Sequence, residues 1–358
     1  MPYKALVEAL QLVSLESSAL LNSSNEDRRK AFACYLAMRE KIAVDYLPLI
    51  SSRIPYINDH TRKHLERVLA HIESLLEMNF YAPGQSGADI PADKHITWTD
   101  TLILLNALVW HDIGNIYGRE GHAQEVHDCF KDVAPRMYDG QLAQYVKQVA
   151  EAHSGPNAIE RAIPNAQAVV RYHSDDIHLQ FLAAVLRFAD ELDEDSRRIS
   201  PGEYEELGVV PEDNQRFWFF SKVNSSIKVQ MNSGPFNTSL SVHIDSKVPA
   251  SRFDVRFTTR RRPGTGQRVK TAAMTEYFRR IFKINAERVY CNSYLTTAYN
   301  HPGIGSLHIN LTTNEPDKPV VSSPIYEIEI SNATPPDALL SIADLAPLHP
   351  YIKKAIKA

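Results

Sequence analysis

Cysteine is scarce in this chain: its 358 residues hold three, Cys34, Cys129 and Cys291, widely separated and odd in number. That excludes a disulfide framework and a clustered zinc finger, and it fits a reducing compartment with buried thiols. Long apolar runs are missing too. None approaches the roughly 18 residues of a membrane-spanning helix, and the N-terminal MPYKALVEAL lacks the charged region, apolar core and cleavage site of a secretory leader. The expectation is a soluble cytoplasmic protein without membrane contact. Positive charge is not in excess, with 39 Lys and Arg against 43 Asp and Glu for a net charge of −4. No global basic field attracts nucleic acid, so any polyanion site must be local. Internal repeats and low-complexity tracts are also absent. With 44% apolar and 23% charged residues the chain is not disordered, and at roughly 150 residues per domain its length allows about two domains. What the chain does have is histidine, 14 in all.

Apolar residues recur at helical spacing from Lys4 to about Tyr46, as in Leu6, Leu10 and Val13 and again in Phe32, Tyr35, Leu36 and Ile42. Two amphipathic helices are predicted there. After a turn region at 51–56, Asn58 or Asp59 is placed to cap a helix whose stripe reads Leu65, Val68, Leu69, Ile72, Leu75 and Leu76. A polar loop rich in Pro and Gly follows, then the short buried run TLILLNALVW leading into His111. Further helices are predicted over about 141–152 and 176–194. After Pro201 the pattern changes. Residues 227–231 and 240–244 alternate apolar with polar around a hairpin signal at 232–235, residues 307–311 and 326–330 alternate likewise, and 271–282 reads as a helix. The expected architecture is a mainly α-helical domain over 1–203, with N-terminal helices of 1–50 packing on a core of 51–200. An α+β domain with a mostly antiparallel sheet follows over 204–358.

Asp112 follows directly on the apolar run, where a bare carboxylate costs several kcal/mol unless it is paired or holds a metal. A His-Asp pair alone is weak, since His127-Asp128 repeats it in a polar context. Asp190 lies four residues after Leu186, inside the stripe of Leu182, Val185, Leu186 and Ala189, and an acid there needs a cation. Its neighbours Glu191, Asp193, Glu194 and Asp195 read as a solvated face. His60 and His64 are helical i,i+4 neighbours that can converge, while His71 reads as structural. Imidazole with carboxylate suits Mn, Fe, Co, Ni or Zn, and with water also Mg. About two His and two Asp would leave positions for water and substrate. These residues are spread over four helices, so the site must be tertiary.

The order His64, His111-Asp112 and Asp190 on successive helices, ending in RFADELD, resembles the HD superfamily of metal-dependent phosphohydrolases over roughly 51–198. The resemblance implies that His64, His111, Asp112 and Asp190 hold a divalent metal. It implies that His122 and His153, with Asp112, serve a second ion, substrate phosphate or general-acid work; His127 lies in the same interval. Triphosphohydrolases of the superfamily carry an Arg shortly before the first His, and here Arg62 precedes His64 by two residues. The signature of cyclic-di-GMP phosphodiesterases has no counterpart in WHDIGNIYGREGH. The implied activity is attack of metal-activated water on a nucleotide, first among them a nucleoside or deoxynucleoside triphosphate, with a proton from His122 or His153 titrating near neutrality. Substrate contacts fall to His60, Arg62, Arg119, Arg197 and Arg198, with surface solvation the alternative for each arginine.

The C-terminal domain would then serve regulation, homo-oligomer formation or substrate choice. Nucleotide depletion in antiphage defence is compatible with this architecture. Rival readings are a nuclease or cyclic-nucleotide phosphodiesterase of the same superfamily, for which the low charge makes nucleic acid the less favoured partner, and a non-catalytic nucleotide sensor or scaffold. The basic segment RRRPGTGQR, with Arg260, Arg261, Arg262 and Arg268, reads as a surface loop or as a phosphate contact for an allosteric nucleotide. Without a following GK[ST] it is not a P-loop. The aromatic run 217–220 reads as sheet core or an oligomer contact.

Overall fold

The computed structural model describes residues 14–21, 23, 26–54, 59–76, 96–118, 122–123, 125–126, 140–199, 210–233, 238–259, 269–313 and 324–357. The chain divides into two compact units: Met1–Pro55, His60–Asp190 and Cys291–Pro302 form the first, and Tyr56–Asp59, Glu191–Tyr290 and Gly303–Ala358 the second. The boundary expected at 203 lies outside the described residues.

The first unit is built on helices α1 (Ser14–Leu21), α2 (Glu26–Lys41), α3 (Leu47–Arg53), α4 (Arg62–Leu76), α5 (Trp98–Trp110), α6 (Gly140–Glu151), α7 (Ala158–Ala162) and α8 (Leu179–Leu192, to Asp190 in this unit). A π-helical stretch, Ile42–Tyr46, carries α2 into α3. The cap on α4 is Thr61, whose hydroxyl accepts from the Lys63 N–H at 3.2 Å, two residues beyond the expected Asp59. The pivot is α5. Apolar on nearly every side, it is a buried helix, packed against α1, α2, α4 and α6. Its start is fixed by a capping box: Thr97 accepts from the Asp100 N–H, and Asp100 accepts from the Thr97 N–H, each at 3.0 Å. Its far end delivers His111.

The expected helix over 176–194 begins later. Val170–Tyr172 (β1) and Asp175–Ile177 (β2) form an antiparallel hairpin, turned by His173 in the left-handed region at φ 52°. From Leu179 the stripe is as expected, with Leu182, Val185, Leu186 and Ala189 fully buried.

The second unit holds a four-stranded sheet in the order β3 (Asn224–Ser233), β4 (Thr238–Lys247), β7 (Ile304–Thr312), β8 (Ile325–Ser331). The outer pairings are antiparallel and the central β4/β7 pairing is parallel. A parallel neighbour needs a crossover, which here includes the hairpin β5 (Arg256–Thr259) and β6 (Val269–Ala272) and the long helix α10 (Ala273–Leu295). Ile227, Val242, Ile244, Leu307, Ile309, Ile328 and Ile330 share the buried face. Tyr277 of α10 reaches Ser246 of β4 at 2.7 Å.

The aromatic run expected in the sheet is helical instead. It lies on α9 (Glu212–Val223), with Trp218, Phe219 and Phe220 buried and Phe217 exposed beneath the Arg216 guanidinium. Four consecutive aromatics carry no period, so the sequence alone could not choose.

The acidic run after Asp190 is a second correction. Asp193, Glu194 and Asp195 are buried. Arg198 holds Asp193 and Glu194, Arg280 holds Glu191 and Glu194, Lys283 holds Glu191, and Arg197 clamps Asp195. Arg280 and Lys283 come from α10, about 90 residues away in sequence, which local spacing cannot reveal. Among the described residues, no helix is long and apolar enough to cross a membrane.

Candidate metal centre

Four chain segments of the first unit bring their ends together. His60 precedes α4 and His64 lies in its first turn, His111 and Asp112 leave the C-terminus of α5, His153 leaves α6, and Asp190 stands in the apolar stripe of α8. Local backbone chemistry aims two of the imidazoles. His111 Nδ1 lies 2.7 Å from the Leu108 carbonyl, and His153 Nδ1 lies 2.7 Å from the Ala150 carbonyl. A carbonyl only accepts, so each Nδ1 bears a proton and each Nε2 is the nitrogen turned to the centre.

Asp112 sits between two groups. Its Oδ2 lies 3.3 Å from His111 Nε2, 3.4 Å from His64 Nε2 and 3.5 Å from His60 Nε2. Its Oδ1 lies 3.5 Å from His122 Nε2 and 3.7 Å from His153 Nε2. Asp190 closes the first group, with Oδ1 3.5 Å from His64 and 3.7 Å from His111. His64, His111, Asp112 and Asp190 each offer a ligand atom within 4.8 Å of the others, and so do Asp112, His122 and His153.

These donors fit a divalent ion. The Nε2 atoms of His64 and His111 are 3.3 Å apart, facing the same carboxylate oxygens. With both imidazoles neutral, lone pairs so arranged repel unless a cation lies among them, and ligands about 2.0–2.2 Å from one ion are about 3–4 Å from one another. Ring nitrogens and carboxylates are ligands for borderline transition ions.

The electrostatics agree. Burial alone would lower the His111 pKa, but the Asp112 and Asp190 carboxylates together hold it well above 6.5. Burial would raise both carboxylates. His111, His60 and His64 nonetheless hold Asp112 well below its ordinary range, and His111 and His64 do the same for Asp190. His153 goes the other way: burial, then the charges of His111 and His122, push it down to about 3. That direction works against a proton donor titrating near neutrality at His153, one of the two expected. His122 Nε2 and His153 Nε2 lie 3.0 Å apart, within hydrogen-bond distance.

The arginines fare differently from the histidines. Arg62 is exposed and paired with Glu40 and Glu66 at 3.2 Å each, away from the cluster. Arg197 and Arg198 belong to the second unit and its ion pairs. Arg119, His127, Arg260, Arg261, Arg262 and Arg268 lie outside the described residues.

Three neighbours escaped the sequence reading. The Asn115 amide donates to the Asp112 carboxylate at 2.9 Å and to the Asp112 carbonyl at 3.1 Å. Gly114 lies so close to the His122 backbone that a Cβ would stand 1.9 Å from its carbonyl oxygen. Arg187, three residues before Asp190, donates to the Gly155 carbonyl at 2.9 Å and the Ala152 carbonyl at 3.5 Å, on either side of His153. The available signals were Gly and Asn directly after His-Asp-Ile, and a cation one helical turn from an acid in an apolar stripe.

Comparison with curated proteins and with solved structures gives no match. The HD-CE family model matches residues 54–264, a span that contains every histidine and aspartate of the cluster. That is more than half of the chain, which therefore belongs to the HD-CE family.

Proposed function

We propose that the protein is a metal-dependent phosphohydrolase acting on nucleotides, with a nucleoside or deoxynucleoside triphosphate first among its substrates. The observation that carries this reading is the buried carboxylate of Asp112, set between two groups of inward-facing imidazoles. His64, His111, Asp112 and Asp190 would hold one divalent ion, drawn from Mn, Mg, Fe, Co, Ni or Zn. Asp112, His122 and His153 are the donor set for a second. An ion held there supplies a Lewis acid for phosphoryl oxygens and acidifies water.

The rest is done by the chain. The carbonyls of Leu108 and Ala150 hold the His111 and His153 rings in one tautomer, so no rotation precedes binding. Burial of His64, His111 and Asp112 keeps competing water away and strengthens their fields. Where no second ion is held, His122, 3.0 Å from His153 and 3.5 Å from Asp112, would be the residue to deliver a proton to a leaving oxygen. Arg119, three residues before His122 in sequence, is the cation we assign to substrate phosphate. A nucleotide-depleting role in antiphage defence is compatible with the same activity.

The test is elemental analysis of the purified protein, then a screen of nucleoside triphosphates, cyclic dinucleotides and single strands with Mn, Mg, Co or Ni, with and without chelator. Triphosphate turnover lost on chelation and in Asp112→Ala, with the fold intact by circular dichroism, is the expected result. No turnover on any of these substrates would overturn the enzymatic reading. Turnover confined to cyclic dinucleotides or strands would replace the substrate class.

A further inference from the structure

Asn115 is fully buried in the 3-10 turn Ile113–Tyr117, immediately after the His111-Asp112 pair. Its amide nitrogen faces two acceptors, the Asp112 carboxylate Oδ1 at 2.9 Å and the Asp112 carbonyl at 3.1 Å. Turning the amide over would set oxygen against oxygen twice, so the orientation is fixed by chemistry. The cost falls on the other side of the group: Asn115 Oδ1 is buried and has no hydrogen-bond partner among the described residues. A bare buried carbonyl is unfavourable, and an apolar residue of similar volume would fill the space without it. Asparagine at this place is therefore explained by what its nitrogen does to Asp112.

What it does is set the roll of one carboxylate. Oδ1, the oxygen that accepts from Asn115, faces His122 and His153, while Oδ2 faces His60, His64 and His111. Rotation of that carboxyl about its bond would point both oxygens between the groups and serve neither. We propose that Asn115 is a positioning residue that locks the carboxylate of Asp112, so that each of its oxygens is committed to one group of imidazoles. This inference rests on the metal reading of the cluster given above.

Two variants test it. Asn115→Leu removes the donor and keeps the branching at Cγ, and Asn115→Asp keeps the shape but sets an anion against Asp112. Calorimetric titration with Mn or Zn should show affinity reduced about 10–100-fold in both, the usual effect of removing a group that orients a metal ligand. Circular dichroism and thermal unfolding of the metal-free proteins should show the fold retained. With Co bound, the visible absorption of the variants should shift from that of the parent, because the ligand field reports carboxylate orientation and a packing role would not move it. Unchanged affinity and spectrum in folded variants would overturn the proposal.

A crystal structure of metal-free Asn115→Leu supplies an arm that needs no ion. The Asp112 carboxylate should be rotated or disordered, and a carboxylate in its present orientation would refute the role of Asn115. Should the parent protein bind no divalent ion, the metal reading falls while this crystallographic arm still decides about Asn115.

Discussion

Replacing Gly114 by alanine sets two effects of opposite sign against each other. Gly114 lies in the 3-10 turn Ile113–Tyr117, a conformation alanine adopts freely, and loss of glycine's chain entropy alone would stabilise by about 0.5–1 kcal/mol. The added methyl, however, would lie 1.9 Å from the His122 carbonyl oxygen, 2.8 Å from its carbonyl carbon and 3.1 Å from Glu125 Cβ. The nearest two atoms are backbone, so no rotamer change relieves the overlap. The His122 backbone must recede by roughly 1.5 Å to reach ordinary contact. Overpacking of this kind costs about 1–3 kcal/mol, and with both closest atoms in the backbone the cost lies toward the upper end, so the steric effect wins and the net loss is up to about 2.5 kcal/mol. That corresponds to a fall in Tm of up to roughly 10 °C for a body of this size.

A second consequence is local. As its backbone moves, His122 loses the 3.0 Å contact with His153 and the 3.5 Å approach to Asp112. Differential scanning calorimetry measures the first effect, and metal titration or a crystal structure the second. Gly140→Ala is the control: Gly140 has open space for a Cβ, and that variant should be neutral or slightly stabilised. If Gly114→Ala melts at or above the parent temperature, the close approach of the two segments is wrong.

Three further outcomes follow from other residues. Arg288 is buried and donates to the carbonyls of Ile304 at 2.7 Å and Gly305 at 2.8 Å, so Arg288→Met removes two charge-assisted hydrogen bonds and should destabilise the second unit by about 2–4 kcal/mol in urea unfolding; an unchanged midpoint would count against it. Tyr299 donates to the buried carboxylate of Asp100, whose pKa burial raises above 3.8 despite that bond. A raised acid pKa means that the folded state keeps its proton longer than the unfolded one, so this group's contribution to stability falls as pH rises through the interval between the two values. Tyr299→Phe widens that interval upward, and its destabilisation, read from thermal melts, should be greater at neutral pH than in acid; equal penalties would refute the assignment. Metal affinity should fall as pH drops below the raised His111 pKa, because the ion must displace the Nε2 proton that Asp112 and Asp190 favour. A pH-independent affinity between neutrality and pH 5 by calorimetry would exclude His111 as a ligand.

Much of this molecule is written in periodicity. The stripe of α8 and the alternation in β3, β4, β7 and β8 follow from which residues recur every 3.6 or 2 positions, and the first and last helices of the site were legible on that ground. Where period is absent, reading failed. The aromatic run 217–220 gives no phase and turned out helical, and the hairpin at Val170–Ile177 depends on a left-handed His173. The acids after Asp190 resemble a solvated face until Arg280 and Lys283 arrive from a distant helix.

The site divides along the same line. The sequence by itself marked the candidates: an acid directly after a buried apolar helix and another inside an apolar stripe call for a partner, and the resemblance to the HD superfamily added the histidines His64, His122 and His153. It could not determine which oxygen of Asp112 faces which ring, that burial pushes the His153 pKa down while two carboxylates hold that of His111 up, or that Arg62 pairs with Glu40 and Glu66. Those are matters of distance through space. A field that falls with separation, a hydrogen bond that needs about 3 Å and a close approach that only glycine permits all come into being when four helix ends meet.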